Sequence, residues 1–245
     1  MKFTIFNIKF NYKLLPSLIF TIFFILFIKL GFWQLDRADQ KKMINAVFAE
    51  RQKKPPIQLN SETILLPLKD IVWYSVIIRG KFLNDKNIIL DNQILDGKAG
   101  YLIYTPFKIL DLNKTILVNR GWFPVSNFRS DIPNIAAIEG TYIIEGEISK
   151  MPTAGIRLRE VFYETVSKST YRLQNMEYDN LSSLVGKDLL NYVVKLKKPI
   201  FDKNFILVSS PPVSDSDKNY GYAFQWFAMA LTLLVIFIRL GIKRK

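Results

Sequence analysis

The side chains best suited to binding chemistry fall in two short stretches, Gly31-Phe32-Trp33-Gln34-Leu35-Asp36-Arg37 and Asn219-Tyr220-Gly221-Tyr222-Ala223-Phe224-Gln225-Trp226. Trp33 and Arg37 are four residues apart and share one face of a helix. A guanidinium at headgroup depth can hold a carboxylate by two parallel hydrogen bonds; otherwise it takes a lipid phosphate or a neighbouring acid such as Asp36 or Asp39. Trp33, Tyr222 and Trp226 form either an interfacial aromatic belt or a flat slot for a planar ligand. Gln34 and Gln225 either add hydrogen bonds to that slot or face interfacial water. Tyr222, Trp226, Met229 and Leu233 make one helical stripe, which serves equally well as a helix–helix seam, and Gly31 permits close approach there. Arg120, just before Gly121-Trp122, either points from a sheet towards a membrane site or partner, or pairs across strands with an acid such as Asp91. Trp122 and Trp73 read as core.

The composition excludes much. The chain has no cysteine and no histidine. Disulfides, Cys or His nucleophiles, His general bases and nearly all zinc and copper sites are therefore unavailable. An enzyme would need paired acids, Ser-Lys or Tyr. Neither Ser126 with Arg129 nor Ser167 with Lys168 stands in a convincing Ser-x-x-Lys context, and no metal site is expected.

The elements that position these residues follow from hydropathy. Residues 14–32 carry one charge, Lys29, and residues 222–238 carry none. Each is long enough to cross a hydrocarbon core of about 30 Å. No small-x-small site follows the first, so it reads as an uncleaved anchor, with Lys29 snorkelling. Lys2, Lys9 and Lys13 precede the first span; Arg239, Lys243, Arg244 and Lys245 close the second, and together they supply seven of the net +13. The positive-inside tendency puts both termini in the cytoplasm. The basic balance thus reports topology, and no nucleic-acid partner is implied. The expected plan is a cytoplasmic tail over 1–13, spans over 14–32 and 221–240, an external periplasmic domain over 33–220, and a basic tail over 241–245.

Residues 36–54 lack Gly and Pro, so the first helix should run on beyond the bilayer until Pro55-Pro56. Aromatic and β-branched runs then predict strands near 72–83, 88–93, 101–107, 115–123 and 141–148, separated by Gly, Asn and Asp turns. Strands are also predicted near 192–196 and 205–208, with a short helix capped by Asp179. Residues 151–170 show little pattern. The fold class is a membrane protein of α+β type: two transmembrane helices flanking an external, mainly antiparallel β domain, barrel- or sandwich-like.

In this order along the chain, several runs resemble the Surfeit locus protein 1 family of cytochrome oxidase assembly factors. They are Leu30-Gly31-Phe32-Trp33-Gln34-Leu35-Asp36-Arg37 with Lys41, Gly80-Lys81-Phe82-Leu83, Leu90-Asp91-Asn92-Gln93, Gly100-Tyr101 with Thr105-Pro106-Phe107, Val118-Asn119-Arg120-Gly121-Trp122-Phe123-Pro124, Gly146-Glu147-Ile148 with Pro152, and Tyr222-Ala223-Phe224-Gln225-Trp226-Phe227. The match is poor between about Gly155 and Leu190. The resemblance implies a multi-pass protein of a bacterial inner membrane. Its partners would be the lipid bilayer and oxidase subunits, foremost the haem-bearing one. It also implies a role in holding or inserting haem a, with Trp33, Gln34, Arg37, Arg120, Asn219, Tyr222, Gln225 and Trp226 as candidate haem- or partner-binding residues. Many members carry a histidine three residues before the tyrosine opening the second span, a candidate haem ligand. Here that position is Asn219, and an amide is a poor iron ligand. Met229 lies about 10 Å from Tyr222 along the helix, so the two cannot flank one iron. The resemblance therefore leaves two roles open: a carrier gripping haem a by its periphery, or a scaffold that steadies an oxidase intermediate without binding haem.

Overall fold

The computed structural model describes residues 2–5, 8–11, 13–125, 132–152, 163–200, 204–208 and 211–241. Lys243, Arg244 and Lys245 of the expected basic tail, and the stretch 126–129, lie outside the described residues. The described chain divides into two units. One comprises residues 1–49 and 211–245, the other residues 50–210.

The first unit is built on α1 (Leu14–Lys53) as far as Ala49, its last four residues belonging to the second unit, and on α4 (Asp217–Gly241). Both are long and apolar enough to cross a membrane. At 40 residues α1 is about 60 Å long, so it runs well past any hydrocarbon core before Pro55-Pro56 stops it, as expected. Two backbone strands precede it, β1 (Lys2–Ile5) and β2 (Ile8–Asn11), paired antiparallel where only a tail was expected.

The second unit is β-rich. After β3 (Ile57–Gln58) and a short helix α2 (Leu68–Ile71) come β4 (Ser75–Phe82), β5 (Asn87–Leu95), β6 (Lys98–Ile109), β7 (Lys114–Pro124) and β8 (Tyr142–Lys150). A hairpin of β9 (Tyr163–Ser167) and β10 (Thr170–Leu173), helix α3 (Tyr178–Val185) and β11 (Leu189–Leu196) complete it. Strands β4, β8, β11, β7 and β6 pair in that order, and β6 pairs back onto β4, closing a five-stranded barrel. Only the β7–β11 pair within the barrel is parallel. Strands β5, β10 and β9 extend the sheet from β6.

The two-residue period explains the layering. On β7, Ile116 and Val118 face the barrel core while Leu117 faces a second cluster under α3; on β11, Tyr192 and Val194 face inward while Val193 joins that second cluster. Both strands are therefore covered on both faces there, which is why Ile116-Leu117-Val118 and Tyr192-Val193-Val194 are consecutive apolar residues in place of an alternation. Gly121, at φ +134°, brings β7 against Ile206, and an added Cβ would sit 2.9 Å from the Ile206 carbonyl oxygen.

Three local expectations are corrected. Residues 205–208 form no strand beyond one bridge from Trp122 to Ile206. Asp179 sits in the first turn of α3, whose N-cap is Glu177 without a side-chain cap. The patternless stretch before Thr170 contributes β9, whose side chains are mostly exposed and so carry no burial alternation.

Candidate functional site

Along α1, residues 17, 20, 24, 27, 31, 34, 38, 41, 45 and 48 are less exposed than their neighbours, a three-four alternation over the whole helix. That is the seam of two antiparallel helices packed like a coiled coil. On α4 the covered positions include Ala223, Phe227, Ala230, Phe237 and Gly241. The expected stripe through Tyr222 and Met229 is thus rotated away from the seam: Tyr222 is 53% and Met229 40% exposed, while Ala223 and Ala230 are buried. The small residues allow close approach. Phe20 stacks on Phe237 at 3.9 Å, Phe27 meets Trp226 at 5.7 Å, and an added Cβ on Gly31 would lie 2.5 Å from the Phe227 ring.

At the polar end the seam turns into a hydrogen-bonded clasp. Asn219 donates through Nδ2 to Gln34 Oε1 at 2.6 Å, and its Oδ1 accepts from Lys41 Nζ at 2.7 Å. Lys41 also donates to Ser214 Oγ at 3.1 Å, and Asn45 Nδ2 donates to the Val213 carbonyl at 3.2 Å. Beside them the Tyr220 hydroxyl donates to Asp39 at 3.3 Å, with Lys42 Nζ over the same ring at 5.6 Å. Of these partners, Asn45 and Ser214 are new to the site, while Lys41, Asp39 and Tyr220 lie in or beside the stretches the sequence singles out. The signal was present: Gly31, Gln34, Ala38, Lys41 and Asn45 repeat at intervals of three and four, and polar residues on such a stripe imply polar partners.

The remaining candidates of this unit lie outside the clasp. Trp33, 52% exposed, and Tyr222 stand at one level of the pair, fixed by the flanking Gly31–Phe227 and Gln34–Asn219 contacts, and both rings face outward. Arg37 is exposed and donates to Gln40 Oε1 at 2.8 Å; Gln40 in turn donates to Asp36 Oδ2 at 2.7 Å. This short relay holds the guanidinium at the surface beside Trp33 on one helical face. Gln225 is exposed. Trp226 is partly covered by Phe27.

Arg120 belongs to the other unit and is only 2% exposed. It donates to Thr105 Oγ1 at 3.3 Å and to the Ala136 carbonyl at 2.9 Å, and its guanidinium lies 5.9 Å from the Phe205 ring centre. Thr105 passes the network on to Asn87 Oδ1 at 2.6 Å. Arg120 therefore ties β7 to β6 and to the segment at Ala136, inside the protein. Trp122 is buried and donates to the Gln93 carbonyl at 3.0 Å; Trp73 is half-buried, at φ +67°.

Where α1 ends, Gln52 Nε2 donates to the Trp73 carbonyl at 2.6 Å and to Glu147 Oε2 at 2.9 Å, while Arg51 donates to the Lys69 and Val72 carbonyls. Glu147 is buried; burial pushes its carboxyl above the ordinary carboxylate range, with Lys195 and Lys197 pulling the other way.

As a metal or haem-iron site the clasp fits poorly. Both polar atoms of the Asn219 amide are engaged in the protein's own bonds. Among the described residues no cluster of three or more potential acidic or imidazole ligands exists. What the helix pair does offer is peripheral: an exposed guanidinium and two exposed aromatic rings.

The sequence model of the SURF1 family matches residues 21–231. The chain is 33% identical over 221 residues to a SURF1-like protein of Rickettsia bellii, spanning 88% of this chain and 86% of that one. It is 31% identical over 226 residues to a SURF1-like protein of Rickettsia conorii, spanning 90% and 88%. It is 28% identical over 127 residues, 52% of this chain and 32% of the other, to the cytochrome oxidase assembly protein SHY1 of Saccharomyces cerevisiae.

Proposed function

This chain belongs to the SURF1 family, and we propose on that basis that it is a non-enzymatic assembly factor for cytochrome oxidase. The observation that carries the reading is the family match across residues 21–231, taken with the yeast relative named for oxidase assembly. The protein sits in a bacterial inner membrane, crossing it with α1 and α4, both termini cytoplasmic and the β-rich unit periplasmic. Its partners are oxidase subunits, the haem-bearing one foremost.

Within that role the chain holds haem a transiently. Arg37 would take a propionate carboxylate, and the outward faces of Trp33 and Tyr222 would lie against the ring. Haem would supply the oxidase's redox centre; this chain's residues only bind and orient it. Release would be easy because a grip by Arg37, Trp33 and Tyr222 on the periphery would leave the iron without a ligand from the clasp. A carrier needs only an affinity between those of donor and acceptor.

One observation favours a second reading. Asn219 is spent on Gln34 and Lys41, so the position of the family's candidate histidine is a structural joint here. A scaffold that steadies an oxidase intermediate without touching haem needs that joint and nothing more. Co-expression with a haem a synthesis pathway, purification in mild detergent and a pyridine haemochrome spectrum separate the two. Near-stoichiometric haem a that falls in Arg37→Ala and Tyr222→Ala proteins supports the carrier. A haem-free but folded protein that still captures oxidase subunits leaves the scaffold.

A further inference from the structure

The outer face of the barrel carries a hollow that the haem reading does not use. Ile77 on β4, Ile143 and Ile144 on β8, and Leu196 and Ile200 at the end of β11 line it, and its volume is about 250 Å³. Ile143 is 72% and Ile77 42% exposed. Ile77 and Ile143 lie diagonally on adjacent paired strands, so the two form one small contiguous apolar patch over the hollow. The volume lies below the roughly 300–1,000 Å³ of small-ligand sites and suits one or two inserted side chains.

The margin of the hollow is basic. Register places Arg79 directly opposite Ile143, and Lys81 opposite Lys108. Like charges directly opposite one another destabilise a sheet. Lys108 is compensated by Asp188 at 2.6 Å; no acid pairs with Arg79 or Lys81 among the described residues. The one acid in the lining, Glu145, is held by Lys198 at 3.3 Å. Along the hollow β4 is paired with β8 on one side and with β3 and β6 on the other, while β8 pairs with β11 only from Gly146 onward, so its Ile143–Ile144 stretch is bonded to β4 alone. The exposed isoleucines and the recess between them suit a partner that docks through its side chains.

We propose that this hollow docks a polypeptide segment of the oxidase subunit being assembled, one that inserts apolar side chains between Ile77 and Ile143 and sets carboxylates against Arg79 and Lys81. The proposal rests on the oxidase-assembly reading. A concave floor favours inserted side chains over a flat lipid surface, and two unpaired cations favour an acidic segment.

The test places a photo-crosslinking amino acid at position 143 of the full chain. It is produced in a bacterial host that has lost its own family member, and the adducts are mapped by mass spectrometry. The expected adduct is an acidic, apolar stretch of an oxidase subunit, and its yield drops on the order of tenfold with Arg79→Glu, which sets like charges face to face. Adducts only to lipid, only to a second copy, or to nothing, in cells whose oxidase is restored, would overturn the docking surface and leave the assembly reading standing. Failure of the unmodified chain to restore oxidase would overturn the assembly reading, and the named partner with it.

Discussion

Asn219 on α4 donates a 2.6 Å hydrogen bond to Gln34 on α1. The bond joins two residues 185 positions apart and lies where the apolar seam gives way to polar residues. Replacing Asn219 with leucine would strand the Gln34 carbonyl and leave Lys41 Nζ with Ser214 Oγ alone. We expect a loss of about 1–2 kcal/mol in helix-pair stability, measured by denaturant titration of the full chain in detergent, the range for interhelical hydrogen bonds in apolar surroundings. Asn219→His should lose less, since an imidazole can bond one of the two partners.

Gly31 gives a geometric prediction. A methyl there meets the Phe227 ring at 2.5 Å. Gly31→Ala should push the helices apart and cost about 1–3 kcal/mol, and Phe227→Ala should recover part of the loss in the double mutant. The chain contains no cysteine, so a disulfide engineered across the seam reads the separation without background.

Arg37 and Arg120 should fail in different ways. Arg37 is exposed, so Arg37→Ala should change unfolding by less than about 0.5 kcal/mol while reducing haem or partner capture. Arg120 is buried and donates to Thr105 and the Ala136 carbonyl; Arg120→Ala should cost about 2–4 kcal/mol and reduce the amount of folded protein. Chemical denaturation beside quantitative immunoblotting distinguishes the two.

Two buried groups in the β-rich unit set its response to pH and to truncation. Burial raises the carboxyl of Glu147 in the folded protein, so across that window the folded state binds more protons than the unfolded one. Stability therefore falls as pH rises from the ordinary carboxylate value through the raised one. Glu147→Gln should remove that slope and stabilise the unit at neutral pH, with Gln52 still bonded at that position. Tyr192 buries a hydroxyl that has no hydrogen-bond partner among the described residues, and burial pushes its pKa up to about 12. Tyr192→Phe should stabilise the barrel by about 1 kcal/mol in thermal melts.

How much was legible in the sequence differs by element. The two apolar helices, the onward run of α1 and the central strands were legible, because Leu14 to Lys53 has no proline after its first turn and β7 opens on the β-branched and apolar run Thr115-Ile116-Leu117-Val118. The β9–β10 hairpin was not, because β9 is mostly solvent-facing and its pairing with β10, and β10's with β5, is decided by tertiary contacts. Residue type marks out Trp33, Arg37 and Tyr222 as candidates, and the structure leaves all three exposed, outside the clasp. The clasp of Asn219 with Gln34 and Lys41 could not be picked in that way, since only packing tells which face of α4 turns inward. Arg120 could be named but not placed: strand periodicity does not say which side is doubly covered when both are.

The central claim, oxidase assembly, is tested most directly in a bacterium deleted for its own family member and supplied with this chain. Reduced-minus-oxidised spectra of its membranes, with oxygen uptake, report assembled oxidase. The account predicts that the chain restores the haem a band and respiration. Membranes that contain the folded chain yet show no more oxidase than the deletion strain would contradict it.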